Sequence, residues 1–380
     1  MNYTKDRTWA EISLDNIEHN YRVMRALLPP ECRFLGVVKA DAYGHGALKV
    51  AHLLEELHAD YLAVATLAEA VELRQDNITL PIIIFGCTPP AHRRELAHYD
   101  LTQTVYDPDM AAAFSQAAGG IGKTLKIHLK IDSGMGRLGF TEPGQLLAAM
   151  SLPGIYIEGA FTHFAVSDEQ DGQQYTRMQF DKFQRLVTEL ETASGRSFKI
   201  KHCANSGAVL NYPYTHMDMV RPGIALYGGY SGAASEKISL KPAMQLKTRI
   251  VQIRTLKPGE SVSYGRTYTA EKTMKVAVIP IGYADGLHRN LSGKIDVLVH
   301  GIRAKQIGRI CMDMCMIDVT DIQNVSVCDV VTIFGCDGSE YITAAEQADK
   351  AGTISYELLC AVSKRVPRVY TVEGSNSQKK

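Results

Sequence analysis

Lys39 is the residue whose position most clearly suggests chemistry. It follows an apolar run at residues 34–38 and precedes a loop-like stretch at residues 40–46. The run is typical of a buried strand, and the glycines after it are typical of a strand-to-helix loop. A buried amine is costly unless it is paired, and burial lowers its pKa toward that of a nucleophile or Schiff-base amine. The alternative is a lysine that extends from the strand end into solvent.

Polar residues also follow several later strand-like runs. Each such end could be explained singly by capping or turn formation, and Ser206 would be a good helix N-cap in any protein. Five polar strand ends together instead indicate a functional face. Besides Lys39, these ends contain Lys130 and Arg137, His163, Asn205 and Ser206, and Arg221, Gly223 and Ile224.

A phosphate site is the chemistry that two of these ends favour. Ser206 and Gly207, with Gly223 and Ile224, offer a hydroxyl and backbone N–H groups to a dianion. Helix N-termini and late barrel loops are suited to this task. Tyr43 could add a phenolic donor.

The elements that must position these residues alternate between strand-like and helix-like patterns. Eight apolar runs are separated by helical stretches, such as those at residues 67–74, 108–118 and 173–193. The pattern predicts an α/β fold with a parallel (β/α)8 barrel, and an open doubly wound sheet is the alternative. The runs are at residues 34–38, 61–65, 81–85, 101–105, 125–131, 156–161, 199–204 and 217–220.

The sequence changes character after residue 229. Small residues at 231–235 predict a linker, and the runs beyond it predict a mainly β C-terminal domain with one late helix near residues 343–352. The predicted strands are at residues 246–256, 276–281, 295–300, 316–319 and 330–334. The expected domains are an N-terminal strand at 1–13, the barrel at 14–240, the β domain at 241–373 and a disordered tail at 374–380.

Composition excludes several classes of function. The 380 residues favour two domains, and 46% of them are hydrophobic, which is ordinary for a globular protein. Formal net charge is zero, so neither a nucleic-acid partner nor a membrane surface is expected. We find no apolar signal segment and no stretch that could span a bilayer. The eight cysteines form no Cys-x-x-Cys pair, which favours free thiols in a reducing cytoplasm and no metal site.

The segment at residues 37–46, Val-Val-Lys-Ala-Asp-Ala-Tyr-Gly-His-Gly, closely resembles the cofactor-lysine segment of the pyridoxal phosphate (PLP)-dependent alanine racemase family. The resemblance extends over nearly the whole chain. It implies that Lys39 carries PLP and that the N-terminal strand packs with the C-terminal domain. The implied phosphate contacts are Tyr43, Ser206, Gly223, Ile224 and Tyr356, and we include Asn205 among the cofactor-binding candidates.

Arg221 is the most informative residue after Lys39. The resemblance implies that it faces the pyridine nitrogen and is linked to His163. Arginine cannot accept a proton, so it would leave that nitrogen unprotonated. A weaker electron sink favours reprotonation at Cα over transamination. An arginine paired with a nearby carboxylate is the alternative reading.

Racemisation needs acid–base groups on both faces of Cα. Lys39 can serve one face. The segment at residues 261–268 resembles the family's catalytic tyrosine segment, which implies that Tyr264 serves the other face in the partner subunit's site. A free phenol has a pKa near ~10 and needs positive neighbours to act at neutral pH. Taken alone, Tyr264 could be an ordinary strand tyrosine.

The resemblance also implies substrate-binding and supporting residues. Arg137 would contact the cofactor's phenolic oxygen and the substrate carboxylate, and Lys130 would orient it, in some members as a carbamate. Met312, between Cys311 and Asp313, would bind the carboxylate from the partner subunit. The implied residues of the access channel are Tyr283, Arg289, Arg309, Ile354 and Tyr356.

The expected protein is a cytoplasmic homodimer that racemises alanine with PLP and supplies D-alanine for peptidoglycan. A serine racemase of the same family is one alternative, which a polar residue in place of Tyr356 would favour. A PLP-dependent decarboxylase with the same barrel would place an acid, not Arg221, at the pyridine. A PLP-carrier protein would consist of the barrel alone, without the domain that bears Tyr264.

Overall fold

The computed structural model describes residues 5–230 and 238–372. The predicted linker at 231–235 and the predicted tail at 374–380 lie outside the described residues. The chain divides into two compact units, which we call the barrel unit and the β unit. The barrel unit consists of Glu18–Ala42 and Ala47–Lys241, and the β unit of Met1–Ile17, Tyr43–Gly46 and Pro242–Lys380.

Eight parallel strands close into a barrel. After the first strand of the chain, β1 (Thr8–Ser13), they are β2 (Arg33–Val37), β3 (Tyr61–Val64), β4 (Ile82–Ile84), β5 (Leu101–Val105), β6 (Leu125–Lys130), β7 (Ile155–Phe161), β8 (Ile200–His202) and β9 (Met219–Val220). Closure is completed where Arg33 pairs with Met219 and Phe34 with Val220. The predicted (β/α)8 barrel is therefore confirmed, and the open-sheet alternative is excluded.

The helices of this part of the chain follow from local signals. Thr66 and Glu69 form a capping box, and Asp107 caps the next predicted helix ahead of a proline at its first position. The longest helix ends at Gly195, whose left-handed conformation closes its last turn. The helices are Leu14–Arg25, Ala47–Glu56, Leu67–Gln75, Arg93–His98, Pro108–Gly119, Pro143–Met150, Gln173–Ser194 and Ser206–Asn211.

The β unit is built on a ten-stranded sheet with the path β11-β14-β17-β16-β15-β18-β10-β1-β20, and β19 pairs with β18. Strand β1 lies between antiparallel β10 and parallel β20. A mainly β C-terminal domain is therefore confirmed. Its strands are β10 (Met244–Arg249), β11 (Gln252–Leu256), β12 (Ser261–Val262), β13 (Tyr268–Thr269), β14 (Met274–Ile279), β15 (Asp296–Val299), β16 (Ile302–Ile307), β17 (Cys315–Asp318), β18 (Val330–Asp337), β19 (Glu340–Ile342) and β20 (Arg368–Thr371).

One expectation for this unit is wrong and another is incomplete. The run at 246–256 is two strands, because the N–H of Ile250 bonds to Asp329 whereas that of Val251 bonds to Val278 on another strand. The late helix expected near residues 343–352 is present as Ala344–Ala351, but a second helix that was not expected, Ser355–Ala361, follows it. Gly352 ends the first of them with φ of 72°.

None of the helices within residues 5–230 and 238–372 is both long enough and apolar enough to cross a bilayer.

Candidate active site

Lys39 lies two residues after the end of β2, where the backbone takes an unusual path. The next four residues, Ala40 to Tyr43, all have φ of 53–54°. This is a left-handed helical turn made without glycine, which costs roughly 1–2 kcal/mol per residue. The predicted loop is therefore a strained turn, of the kind found where geometry matters to function.

Glu69 holds the beginning of this turn. Its carboxylate accepts the N–H of Ala40 at 2.7 Å on one oxygen and the N–H of Ala65 at 2.7 Å on the other. The same side chain completes the capping box with Thr66. A single carboxylate thus joins the residue after Lys39 to the start of a helix that is fixed by its own cap.

Arg221 is buried at the carboxyl ends of β7 and β8. Its guanidinium donates to the carbonyl oxygens of Thr162 at 2.8 Å and Cys203 at 3.1 Å. It also donates to Nδ1 of His202 at 3.0 Å and to Nδ1 of His163 at 3.3 Å. Burial lowers the pKa of Arg221 to about 10, which leaves it charged at neutral pH. Its guanidinium thus donates to two carbonyl oxygens and two neutral imidazoles rather than to a carboxylate.

Positive charges surround His163. Loss of solvent contact lowers its pKa well below the usual value, and the charges of Arg221, Lys130, Arg137 and Lys39 lower it further. His163 is therefore neutral at physiological pH. The structure brings these predicted site residues together at one end of the barrel.

Lys130 is buried at the end of β6, with its Nζ 5.5 Å from the ring centroid of Phe161. Burial first, and then the charges of Arg137 and Arg221, lower its pKa to about 8. The loop that leads to Arg137 is held by Asp132, whose Oδ1 accepts the N–H groups of residues 134, 135 and 136. Arg137 itself is exposed.

The residues predicted to bind phosphate lie on adjoining loops. Ser206 is not the N-cap of its helix; Asn205 is, and its side chain accepts the N–H of Ala208. The Oγ of Ser206 instead accepts the N–H groups of Gly223 at 2.8 Å and Ala225 at 3.3 Å. A hydroxyl that accepts in this way still has its own hydrogen to donate to an anion. Ile224 follows in a short 3-10 turn, Ile224–Tyr227.

Tyr43 and Tyr356 lie together in the β unit. Their ring centroids are 6.0 Å apart. Burial raises the pKa of Tyr43, so its phenol keeps a proton that it can donate. Both predicted phosphate-binding tyrosines of this unit are thus neighbours.

Tyr264 and the segment of Met312 are also neighbours within the β unit. Ser263 donates to the carbonyl oxygen of Arg309 at 2.7 Å and lies 3.5 Å from Sγ of Cys311. Tyr264 is 71% exposed and Met312 is 53% exposed. Ser263 has φ of 68°, so the backbone beside Tyr264 is strained.

The remaining predicted residues lie in the same unit. Asp313 accepts Nη2 of Arg365 at 2.7 Å, and its carbonyl oxygen accepts Nη2 of Arg7 at 3.2 Å. Of the predicted channel residues, Tyr283, Arg289 and Ile354 are exposed and Arg309 is half-buried. The site residues thus form two groups, one in each unit.

Sequence reasoning missed three polar residues inside the barrel. His128, Glu158 and His202 are buried and joined by hydrogen bonds. Two histidines within strand-like runs were the available signal. Their partnership could not be found in that way, because they lie on three different strands.

Comparisons with known proteins agree over both parts of the chain. A family model described as alanine racemase, N-terminal domain, matches residues 12–231, and one described as alanine racemase, C-terminal domain, matches residues 243–370. The alanine racemase of Desulfosudis oleivorans is 46% identical, with 97% of each chain covered. That of Methanococcus maripaludis is 45% identical, with 95% of this chain and 98% of the relative covered.

Solved structures of alanine racemases are also similar to this chain over nearly its whole length. Alanine racemase from Clostridium difficile 630 has a TM-score of 0.90 at 41% identity, with 96% of each chain covered. The structure of alanine racemase from Bacillus anthracis with bound L-Ala-P has a TM-score of 0.93 at 35% identity. That comparison covers 98% of this chain and 97% of the other.

Proposed function

The chain belongs to the alanine racemase family, and we propose that it interconverts L-alanine and D-alanine by two-base proton transfer with bound PLP. It is an amino-acid racemase, as its relatives indicate. The observation that carries the finer proposal is the buried, charged Arg221 at the carboxyl end of the barrel strands. A decarboxylase of this fold would need an acid there.

The residues present fit PLP. When bound, PLP withdraws electrons from Cα and so makes its proton removable. Lys39 would hold the cofactor covalently, and Arg221 would donate a hydrogen bond to its ring nitrogen. Arg137 would contact its phenolic oxygen. The phosphate would be held by Tyr43, Ser206, Gly223, Ile224 and Tyr356, and Asn205 is a further residue proposed to bind the cofactor.

Lys39 moves the proton on one face of Cα. Tyr264 of a second copy of the chain moves it on the other face, which makes the functional form a homodimer. The high exposure of Tyr264 in a single chain supports this arrangement, because its phenol is free of covering structure from its own unit. Met312 from the same second copy would bind the substrate carboxylate with Arg137.

Lys130 supports Arg137 in this proposal. Its lowered pKa gives it a substantial neutral fraction near pH 8. A neutral amine can add to CO2, and the resulting carbamate anion would offset the positive charges of Arg137 and Arg221. Cys311 and Asp313 hold the backbone on either side of Met312.

The proposed biological role is the supply of D-alanine for peptidoglycan in the cytoplasm. Alanine as substrate is supported by the names of the relatives and by the L-Ala-P bound to one of them. Tyr356 supports alanine over serine, because its ring would line the substrate side-chain pocket without a polar group at the methyl. The cytoplasmic setting is consistent with eight free cysteines.

The test is a comparison of substrates with purified protein loaded with PLP. We expect rapid racemisation of either alanine enantiomer and at least ~10-fold lower kcat/KM for serine. Borohydride reduction should attach the cofactor to the peptide that contains Lys39. Lys39→Ala should abolish activity, whereas Lys49→Ala, an exposed lysine on the following helix, should retain it. A cofactor label on another lysine, or a preference for serine, would contradict the proposal.

A further inference from the structure

A chain of hydrogen bonds runs through the barrel from Glu158 to Arg221. Oε2 of Glu158 lies 3.3 Å from Nε2 of His128, and Nδ1 of His128 lies 2.9 Å from Nε2 of His202. Nδ1 of His202 then lies 3.0 Å from Nη1 of Arg221. Both histidines are fully buried, so no solvent competes for these bonds.

The two ends of this chain fix the position of every proton in it. Arg221 has only donors, so Nδ1 of His202 must accept and its Nε2 must carry the hydrogen. That hydrogen is donated to Nδ1 of His128, whose own hydrogen is therefore on Nε2 and is donated to Glu158. Burial lowers the pKa of both imidazoles, and the bond to His128 lowers the pKa of Glu158. His128 and His202 are thus neutral and Glu158 is ionised, as the order of donors from Arg221 to Glu158 requires.

The backbone is shaped to allow this chain. The register between β6 and β7 shifts between Ile127 and His128, so that His128 pairs with Gly159 and Glu158 is the extra residue of a bulge. Bulges redirect side chains, often beside active sites. At Gly159 a Cβ would come within 2.7 Å of Cε1 of His128 and 2.4 Å of the carbonyl oxygen of Ile200. A larger residue there would displace the imidazole.

Other groups secure the two ends. Nζ of Lys199 lies 3.6 Å from Oε1 of Glu158. The ring of Phe161 stacks on His202 at a centroid distance of 4.8 Å, and the guanidinium of Arg221 lies 5.3 Å from the same phenyl ring. Stacking on Phe161 therefore fixes the plane of the His202 imidazole, and its two nitrogens hydrogen-bond to His128 and Arg221.

We propose that Glu158 is a positioning residue for the racemase reaction, acting through the tautomers of His128 and His202 on the orientation of Arg221. This inference rests on the proposed function, because it assigns its effect to the arginine expected to face the cofactor. Without an acceptor at residue 158, His128 can place its hydrogen on Nδ1 and no longer accept from His202. His202 can then turn its hydrogen toward Arg221, which would lose an acceptor.

The first test reads the tautomers in the holoenzyme labelled with 15N-histidine. Long-range 1H–15N spectra, assigned with His128→Asn and His202→Asn, should show both rings neutral with hydrogen on Nε2. This measurement requires no racemase activity. An Nδ1–H tautomer or an imidazolium at either ring at neutral pH would overturn the proposal.

The second test uses variants of Glu158. Glu158→Gln keeps an acceptor oxygen, so we expect the tautomers to persist and kcat to stay within about threefold. Glu158→Leu removes the acceptor, so we expect altered tautomers and a ~10–100-fold loss in kcat with a smaller change in KM, as for small misplacements of catalytic groups. Glu189→Leu, an exposed glutamate on the helix Gln173–Ser194, is the control and should change neither.

Each outcome separates the two proposals. Unchanged tautomers and unchanged kcat in Glu158→Leu would overturn the positioning role. If that variant does not fold, the wild-type spectra and the behaviour of Glu158→Gln still decide the assignment. A wild-type protein with the expected tautomers but no alanine racemisation would overturn the proposed function and leave the hydrogen-bond assignment intact.

Discussion

Lys130 shows how the barrel changes the chemistry of a single side chain. It is buried beside positive charge, and its pKa falls to about 8. An ammonium ion is therefore poorly tolerated there, whereas an anion would be stabilised by Arg137 and Arg221. This balance is the physical reason to expect a carbamate at Lys130.

We predict that 13CO2 will label Lys130 near pH 8. The amine nitrogen would bond to the carbon of CO2 and lose one proton to solvent. A carbamate resonance should appear in the 13C spectrum of the protein, vanish in Lys130→Ala, and persist in Lys123→Ala, an exposed lysine. Lys130→Ala should also reduce racemase activity by ~10-fold or more, because Arg137 loses its support. A protein without this resonance would show that Lys130 acts as a simple amine.

Single residues also show what the sequence could predict. Lys39, His163 and Arg221 could be chosen because type and strand-end position are local properties. Ser206 was considered as a possible helix N-cap, but Asn205 has that role, since both residues are good caps and only the fold shows which side chain turns toward Ala208. The partners of Arg221 depend on neighbouring strands and could not be read from spacing.

At the scale of elements, the left-handed turn after Lys39 is a local strain that the fold must stabilise. Ala40 is exposed and has φ of 53°. A β-branched residue is especially unfavourable in this conformation, whereas glycine adopts it readily.

We therefore predict opposite effects for two substitutions at Ala40. Ala40→Val should lower the free energy of unfolding by more than ~1 kcal/mol, and Ala40→Gly should leave it unchanged or raise it. Urea unfolding of both variants would measure this difference. Equal stability of the two variants would mean that the turn adopts an ordinary loop conformation when valine replaces Ala40.

Elements with local start and stop signals were predicted well, and those defined by distant partners were not. The helix Leu67–Gln75 was expected at residues 67–74, and the capping box that begins it joins Thr66 and Glu69, which are close in sequence. The division of residues 246–256 into β10 and β11 depends on bonds to Asp329 and Val278, far along the chain. No pattern within the run itself could reveal it.

At the scale of the whole molecule, the proposed site requires two chains. Lys39→Ala and Tyr264→Phe should each be nearly inactive as homodimers. Mixed refolding should restore activity, since each heterodimer has one site with both residues intact. An equal mixture should recover about a quarter of wild-type activity, as expected for random pairing in a two-fold dimer. If mixing restores nothing, the two residues act within one chain.

Tyr268→Phe, which changes another tyrosine of the β unit, is the matched control. When it is mixed with either inactive variant, the activity should equal that of wild-type protein mixed with the same variant.

The buried histidines give the whole molecule a predictable response to acid. Burial lowers the pKa of His128, His202 and His216 below the ordinary value of 6.5. Between 6.5 and the lowered values, the unfolded chain binds protons that the folded chain does not. Stability should therefore be complete above pH 6.5 and fall as pH decreases below it, by up to about 1.4 kcal/mol per pH unit for each histidine.

Urea unfolding at pH 7.5, 6.5 and 5.5 would measure this slope. These pH values lie above the range in which carboxylates with an ordinary pKa near ~4 begin to protonate. His98→Gln should leave the slope unchanged, because His98 is exposed in the folded protein and solvated in the unfolded chain. A free energy of unfolding that stays constant from pH 7.5 to 5.5 would contradict the prediction. It would mean that the folded protein takes up protons at these histidines, and the hydrogen bonds from Arg221 to His202 and from His202 to His128 would then have to break within the folded barrel.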